Sequence, residues 1–191
     1  MIIIISGSPG SGKTTIAYEL AAKLGIKQVI QTDIIKDIFH LNKYPEIALC
    51  ATHDAWRFFG EKDNENIIKG FNSHAKYFEK FLIELIEISK SKGETIIIEG
   101  IHATPRLYSK LKDKKIGFFL TINKEERIRR FDLKNLKRTE KNRGWYENID
   151  AISVIEDYLK LNSQKNKMII IDNNIIDHTI KKIREYIKNG E

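Results

Sequence analysis

The amino-acid sequence predicts an α/β fold, a three-layer sandwich in which helices cover both faces of a five-stranded parallel sheet. Short, continuous runs of isoleucine alternate along the chain with segments of helical periodicity, a pattern typical of parallel strands buried on both faces. The first run is followed at once by a glycine-rich turn and a helix. A functional site is therefore expected at the carboxyl end of the first strand.

Continuous apolar runs predict the strands. The first is Met1–Ile5, and a second, shorter one is Val29–Gln31. The other three follow longer, helix-like segments and are Thr95–Ile98, Ile116–Ile122 and Met168–Ile171.

Helical periodicity, with apolar residues three or four positions apart, predicts the connections between strands. Thr32 or Asp33 is placed to cap the second helix. Helices are expected over Lys13 to Leu24, from this cap to about Leu41, over about Ile47–Phe59, over about Asn72 to Lys90, from Lys124, and along the stripe of Ile176, Ile180, Ile183 and Ile187.

Length and composition limit the class of protein. The 191 residues fit one domain, and 41% apolar with 31% charged residues excludes wholesale disorder and collagen. The one cysteine, Cys50, cannot form an intrachain disulfide, which fits a reducing, cytoplasmic location. No apolar run approaches the ~20 residues of a membrane span. The formal net charge of +7 favours phosphate-bearing ligands of any kind.

A phosphate-binding loop follows the first strand. From Gly7 the chain reads Gly-Ser-Pro-Gly-Ser-Gly-Lys-Thr, a complete match to the pattern G-x-x-x-x-G-K-[ST]. Glycines let backbone amides turn toward a phosphate, and the helix that begins near Lys13 adds the positive end of its dipole. Lys13 is expected to neutralise the β- and γ-phosphates of ATP, and Thr14 to bind Mg²⁺. The predicted nucleotide-binding residues are Gly7, Ser8, Pro9, Gly10, Ser11, Gly12, Lys13, Thr14 and Thr15.

The other motifs favour a kinase over a guanine-nucleotide switch. A switch needs Asn-Lys-x-Asp at the end of a strand, whereas the chain reads Asn-Lys-Glu-Glu from Asn123, and the longer final side chain would misplace its carboxylate. Asn123 and Glu126 instead fit a capping box at a helix start. No Asp-x-x-Gly follows the third strand, where the chain reads Glu-Gly-Ile-His from Glu99.

Two carboxylates end strands of the predicted sheet, Glu99 beside the phosphate loop and Asp33 across the sheet crevice from it. Glu99 ends the third strand and is expected to bind the metal ion, through water; a capping or salt-bridge role is the alternative. Asp33 ends the second strand, where small kinases orient an acceptor hydroxyl and take its proton. Asp33 can also cap the following helix, and the two roles are compatible.

A run of basic residues follows the fourth strand. Arg127 and Arg130 share a helix face and are the predicted catalytic cations, because negative charge spreads over the γ-phosphate oxygens during transfer. A mobile lid that carries them would also exclude water. A solvated charged face is the alternative for most of the run, which continues with Lys134, Lys137, Arg138, Lys141 and Arg143.

Together these residues resemble the archaeal 2-phosphoglycerate kinases, within the nucleoside-monophosphate-kinase-like group of phosphate-loop NTPases. The resemblance implies phosphoryl transfer from ATP with Mg²⁺ to a small hydroxyl-bearing acid, an acceptor-binding helical insert at about 42–93 and a lid at about 127–150. Lys36 stands where the family usually has Arg, which removes a bidentate contact to an anionic acceptor. Besides the loop, the segments that recur in order are Thr32-Asp33 with Lys36, Thr52-His53 with Ala55-Trp56, Glu99-Gly100-Ile101-His102 with Pro105, and Ile171-Asp172-Asn173.

The predicted acceptor-binding residues come from the segments after the second and third strands. An anionic acceptor would use the cationic members of this set. A surface role for Arg57, and internal hydrogen bonds for both histidines, are the alternatives. The set is Asp33, Lys36, His53, Arg57, His102 and Arg106.

Two other functions remain open on the sequence alone. A nucleoside monophosphate or a polynucleotide 5′-hydroxyl as acceptor suits the basic charge, although no RNA-binding signature and no basic arm outside the lid is present. A nucleotide-sensing adaptor would bind ATP without transfer, and the presence of Asp33 and the lid arginines argues against it. The sequence predicts no membrane partner, and it does not distinguish a monomer from a homodimer.

Overall fold

Five parallel strands form the sheet in the computed structural model, which describes residues 1–135 and 143–189. They are β1 (Ile2–Gly7), β2 (Gln28–Gln31), β3 (Ile96–Glu99), β4 (Lys115–Thr121) and β5 (Ile169–Asp172). Their order in the sheet is β2-β3-β1-β4-β5, so the strand that leads into the phosphate loop is central. The predicted parallel sheet of five strands is confirmed.

Helices connect the strands and cover both faces of the sheet. They are α1 (Lys13–Leu24), α2 (Thr32–Leu41), α3 (Glu46–Leu49), α4 (Asn64–Ser91), α5 (Pro105–Lys110), α6 (Lys124–Asn135), α7 (Arg143–Glu147), α8 (Ile149–Lys165) and α9 (Ile176–Asn189). A 3-10 helix, Thr52–Phe58, lies between α3 and α4. Within the described ranges, no helix has the length and apolar character that crossing a membrane requires.

The side chains of β1 enter two different apolar layers, because successive residues of a strand point to opposite faces. Ile2 and Ile4 pack with residues of α4 and α5 on one face. Ile3 and Ile5 pack with residues of α1 and α9 on the other. All four side chains are buried, which explains why the strand is a continuous rather than an alternating apolar run.

The long helix α4 begins earlier than the sequence predicts. Asn64 is its first residue, and the Asp63 carboxylate caps the helix by accepting from the Asn66 backbone amide at 2.7 Å. Gly70 lies inside the helix, where a Cβ would come within 2.4 Å of the Ala55 backbone. Glycine at this position therefore permits close contact between α4 and the 3-10 helix.

Other elements also differ from the prediction. The single helix predicted over Ile47–Phe59 is wrong, because extended backbone at Cys50 and Ala51 separates α3 from the 3-10 helix. Helices α5, α7 and α8 are additional to the predicted set. Of these, α8 buries Ile155 and Leu159 against residues of α4 and β4, so it belongs to the core.

Candidate active site

The phosphate loop between β1 and α1 adopts a conformation that depends on glycine. Gly10 and Gly12 both have φ of 82°, in the left-handed region that side chains disfavour. A Cβ on Gly12 would lie 2.6 Å from Nδ2 of Asn173, so the loop also packs closely against the residues after β5. The Lys13 ammonium donates to the Ser8 carbonyl at 2.9 Å.

Thr14 and Glu99 meet at the base of the loop. Thr14 Oγ1, in the first turn of α1, donates to Oε1 of the buried Glu99 at 2.9 Å. A hydroxyl and a carboxylate are hard oxygen ligands of the kind that Mg²⁺ prefers, and this ion uses few protein ligands beside substrate phosphates. The two side chains therefore fit the predicted metal position. Thr15, the last predicted nucleotide-binding residue, is exposed in the same turn.

One cavity of about 490 Å³ connects the phosphate loop with the predicted acceptor residues. Its size is typical of small-molecule sites. Residues of α1, α2, β3 and the 3-10 helix contribute to its lining, although they are far apart in the sequence. The predicted site residues that it brings together are Pro9, Gly10, Lys13, Thr14, Asp33, Lys36, His53, Glu99 and His102.

Burial lowers the pKa values of two basic side chains in the acceptor half of this cavity. Burial lowers the pKa of the Lys36 ammonium, and the nearby Asp33 carboxylate is among the groups that oppose this shift. Burial also lowers the pKa of His53, whose Nε2 lies 3.8 Å from Oδ2 of Asp54. His53 is consequently a neutral imidazole at neutral pH. Asp33 is exposed to solvent.

Two predicted acceptor residues do not line this cavity. Arg57 is exposed and donates to the Asp54 carboxylate at 3.0 Å. Arg106, on α5, pairs with Glu79 on α4 at 3.2 Å. A role of either arginine in acceptor binding stays a prediction, and in this structure both pair with carboxylates outside the cavity.

The two predicted catalytic arginines contact the phosphate loop from outside the cavity. Arg127 is buried and donates to the Ser8 hydroxyl at 3.1 Å. Arg130 donates to the Gly10 carbonyl at 3.3 Å. Their direct action on the γ-phosphate stays a prediction, because both side chains bind protein groups here. Residues 136–142 of the predicted lid lie outside the described residues.

A buried chain of hydrogen bonds involves two histidines of the site. His102 Nδ1 lies 3.0 Å from Thr32 Oγ1, and His102 Nε2 lies 2.9 Å from His74 Nε2. His74 Nδ1 lies 2.6 Å from the Ile47 carbonyl. Because a carbonyl can only accept, neutral His74 carries its proton on Nδ1, His102 carries its proton on Nε2, and Thr32 donates to His102. Both nitrogens of His102 are therefore engaged internally, the alternative to its predicted acceptor contact.

The position of Thr32 differs from its predicted capping role. Helix α2 begins at Thr32 itself, after Gln31, without a side-chain cap. The Thr32 hydroxyl bonds to His102 instead. A Cβ on Gly100 would lie 1.8 Å from this hydroxyl oxygen, so the glycine after Glu99 makes the contact possible.

Stability at acidic pH should depend on this histidine pair. Burial lowers the pKa of His74 to about 4 and that of His102 well below its usual value. In the unfolded chain His74 binds a proton near pH 6.5, whereas in the folded protein it does so only near pH 4. Neutral His74 therefore contributes fully to the free energy of unfolding above pH 6.5, and this contribution is lost as the pH falls from 6.5 to about 4. We expect His74 alone to lower the free energy of unfolding by about 3 kcal/mol over this range, measured by urea titration.

Two substitutions separate this effect from general acid destabilisation. His74→Gln keeps a donor and an acceptor but does not titrate, so its urea midpoint should depend less on pH. His178→Gln, at an exposed position of α9, is the matched control and should keep the parental pH dependence. An unchanged pH dependence in His74→Gln would contradict a buried neutral pair.

Sequence reasoning missed two residues around the site. His74 and Glu156 are buried polar residues on the apolar faces of α4 and α8. A polar residue within such a stripe is the signal that could have identified them. Trp145, on α7, lines the cavity, and its ring packs against that of Phe131 with centroids 4.8 Å apart.

Sequence comparisons support the predicted resemblance. A family profile described as "AAA domain" matches residues 3–154. The chain is 30% identical over 192 residues to the 2-phosphoglycerate kinase of Pyrococcus horikoshii and 29% identical over 200 residues to that of Methanococcus maripaludis. Each alignment covers 98% of this chain and 64% of the relative, so the chain spans less than two thirds of the length of these curated relatives. The resemblance drawn from the motifs is confirmed.

Solved structures share the fold. The shikimate kinase of Acinetobacter baumannii in complex with shikimate aligns with a TM-score of 0.55 at 18% identity, over 100% of this chain and 94% of that one. The shikimate kinase of Bacteroides thetaiotaomicron aligns with a TM-score of 0.52 at 20% identity, over 98% of both chains. Likeness at these identities concerns the fold alone, and it confirms the predicted phosphate-loop kinase fold.

Proposed function

The chain belongs to the family described as AAA domain, and we propose that it is a phosphotransferase, an ATP- and Mg²⁺-dependent small-molecule kinase. The γ-phosphoryl group of ATP passes to a hydroxyl of a small anionic acceptor such as 2-phosphoglycerate. The complete phosphate loop supports the nucleotide, and the relatives named 2-phosphoglycerate kinase support this acceptor class.

The continuity of the 490 Å³ cavity is the observation that carries this proposal. Lys13 and Thr14 of the phosphate loop region line it together with Asp33 and Lys36 of α2. Phosphoryl transfer requires the donor and the acceptor to be held side by side, because positioning supplies much of the catalysis. A protein that only bound a nucleotide would have no need of a carboxylate and an ammonium group on the acceptor side.

Asp33 is the proposed proton acceptor. The acceptor oxygen forms a bond to the γ-phosphorus while the bond from that phosphorus to the β,γ-bridging oxygen breaks. The hydroxyl proton passes to the Asp33 carboxylate, and ADP leaves with the electron pair of the broken bond. Lys13 stabilises the negative charge that develops on the phosphate oxygens.

Thr14 and Glu99 are the residues proposed to hold magnesium, Thr14 directly and Glu99 through water. Magnesium bound there would neutralise charge on the β- and γ-phosphates. The 2.9 Å contact between the two side chains supports this assignment, because it places a hydroxyl and a carboxylate together beside the loop.

Lys36 and His53 are the proposed acceptor contacts within the cavity. Lys36 provides a point charge for a carboxylate or phosphate of the acceptor, rather than the two-pronged contact of an arginine. We further propose that residues 42–93 form the acceptor-binding insert and 127–150 the lid of one kinase domain. The insert then contains His53 together with α3 and α4.

Incubation with γ-labelled ATP, Mg²⁺ and a panel of hydroxyl compounds tests the function. The panel contains glycerates and their phosphates, sugar acids, amino-acid alcohols, nucleoside monophosphates and a 5′-hydroxyl oligonucleotide. We expect label in 2-phosphoglycerate. The rate of this transfer should change little with salt concentration, whereas the affinity of a protein for nucleic acid falls steeply with salt. Label only in the nucleotides or the oligonucleotide would overturn the acceptor class. Release of labelled inorganic phosphate without any labelled acceptor would overturn the kinase assignment.

A further inference from the structure

Ser8, the second residue of the phosphate loop, connects the loop with two helices. Its hydroxyl donates to Oε2 of Glu156 on α8 at 2.6 Å and accepts from Nη2 of Arg127 on α6 at 3.1 Å. Arg127 and Glu156 also form an ion pair with each other. The Ser8 carbonyl accepts from the Lys13 ammonium, so this residue lies between the phosphate-binding lysine and the buried charges. We call the side chains of Ser8, Arg127 and Glu156 the loop triad.

The loop triad is buried. Ser8 is fully buried, Arg127 is 5% exposed and Glu156 is 8% exposed. The two buried charges have lost their hydration, so each is stabilised by the other and by the remaining hydrogen bonds. The ion pair therefore requires a well-defined geometry. Glu156 itself lies between Ile155 and Leu159 on α8, and both of these side chains pack in the core. The carboxylate that contacts the loop is therefore held by a rigid element.

Side chains from outside the motif also hold the other half of the loop. Arg130 donates to the carbonyls of Gly10 at 3.3 Å and Asn173 at 2.6 Å. The Asn173 amide donates to the Ser11 carbonyl at 2.7 Å. Because C=O and N–H of a trans peptide point in opposite directions, this bond turns the Gly12 amide away from Asn173. The orientation of the loop amides therefore depends on its neighbours as well as on its glycines.

We propose that Glu156 is a positioning residue for nucleotide binding, which acts through Arg127 and Ser8 to hold the phosphate loop in its binding conformation. The proposal rests on the nucleotide binding of the proposed function, but it requires no phosphoryl transfer. Without the negative charge of the carboxylate, the Arg127 guanidinium is buried without its counter-charge, and Ser8 loses its charged hydrogen-bond acceptor. A loop that is held in place needs little reorganisation when a phosphate binds, so a released loop binds nucleotide more weakly.

Calorimetric titration with MgADP tests the loop triad. Ser8→Ala removes only the hydroxyl and leaves the ion pair in place, whereas Glu156→Gln removes the charge and keeps the shape. We expect each single change to weaken MgADP binding by about tenfold, the size of a lost hydrogen bond to a charged group. The double variant should bind about as weakly as either single variant, because both changes break the same link.

Two further variants control for stability. Glu79, on α4, is also 8% exposed and paired with basic side chains, but it lies outside the loop triad and the cavity lining, so Glu79→Gln should keep the parental MgADP affinity. If Glu156→Gln fails to fold, Arg127→Met combined with Glu156→Met removes both charges at similar volume, a replacement that often preserves stability. This folded double variant should still bind MgADP about tenfold more weakly.

The positioning role would be overturned if the folded Glu156 variants kept parental MgADP affinity. It would also be overturned if the losses caused by Ser8→Ala and Glu156→Gln were additive in the combined variant. The same is true if Glu79→Gln weakens binding as much as Glu156→Gln. A parent protein that binds MgADP but labels no acceptor would contradict the proposed function instead, since the titrations contain no acceptor.

Discussion

Lys13→Ala is expected to lower kcat/KM for ATP by about a thousandfold, the upper range for loss of one charge-stabilising donor in an active site. Lys13 supplies the ammonium group of the phosphate loop and lines the cavity at the end where the nucleotide phosphates are proposed to bind. Its hydrogen bond to the Ser8 carbonyl keeps the ammonium beside the loop in this structure. Initial rates at several ATP concentrations, with the labelled acceptor, measure the loss.

Lys23→Ala is the matched control for this substitution. Lys23 lies on the same helix, α1, where it is exposed and pairs with Glu19 at 3.6 Å. Such an exposed pair contributes little to stability. Lys23→Ala should therefore keep parental rates, and both variants should unfold at nearly the parental urea concentration. Parental kcat/KM in Lys13→Ala would refute the assignment of the phosphate loop.

The sheet was predictable because the signal for a buried parallel strand is local. Ile2–Ile5 and Ile96–Ile98 are continuous apolar runs, and such runs occur where both faces of a strand are covered. Their observed boundaries differ from the predicted ones by one or two residues, the usual uncertainty at element ends. The start of α4 was not predictable in the same way. Gly70 weakens the helical pattern of the sequence, and a glycine is needed there because of a tertiary contact with the Ala55 backbone.

The phosphate loop was predictable for a related reason: its chemistry resides in consecutive residues. The contacts that organise its surroundings join distant positions, such as His74 with His102 or Ser8 with Glu156. Periodicity reports which face of a helix is buried, but not which distant side chain it meets. Arg127 shows the difference, because its place on the helix after β4 was predicted correctly and its buried partner was not.

Asp33→Asn is expected to lower kcat by about a hundredfold or more, with much less change in the KM for ATP, as for loss of a general base. The asparagine has nearly the same shape, so it preserves the cavity but cannot take the hydroxyl proton of the acceptor. Asp33 lines the acceptor half of the cavity at the start of α2. Steady-state rates with each substrate varied separate the two constants.

The alternative explanation for such a loss is electrostatic, because the Asp33 carboxylate also raises the pKa of Lys36. Asp37, one turn later on α2, acts on Lys36 in the same direction but does not line the cavity. Asp37→Asn therefore removes a charge that acts on Lys36 in the same direction but keeps the proposed proton acceptor, and it should lower kcat far less than Asp33→Asn. Equal losses in the two variants would show that Asp33 acts through Lys36 rather than on the acceptor. If Asp33→Asn weakens ATP binding as much as it lowers kcat, the proton-accepting role is contradicted.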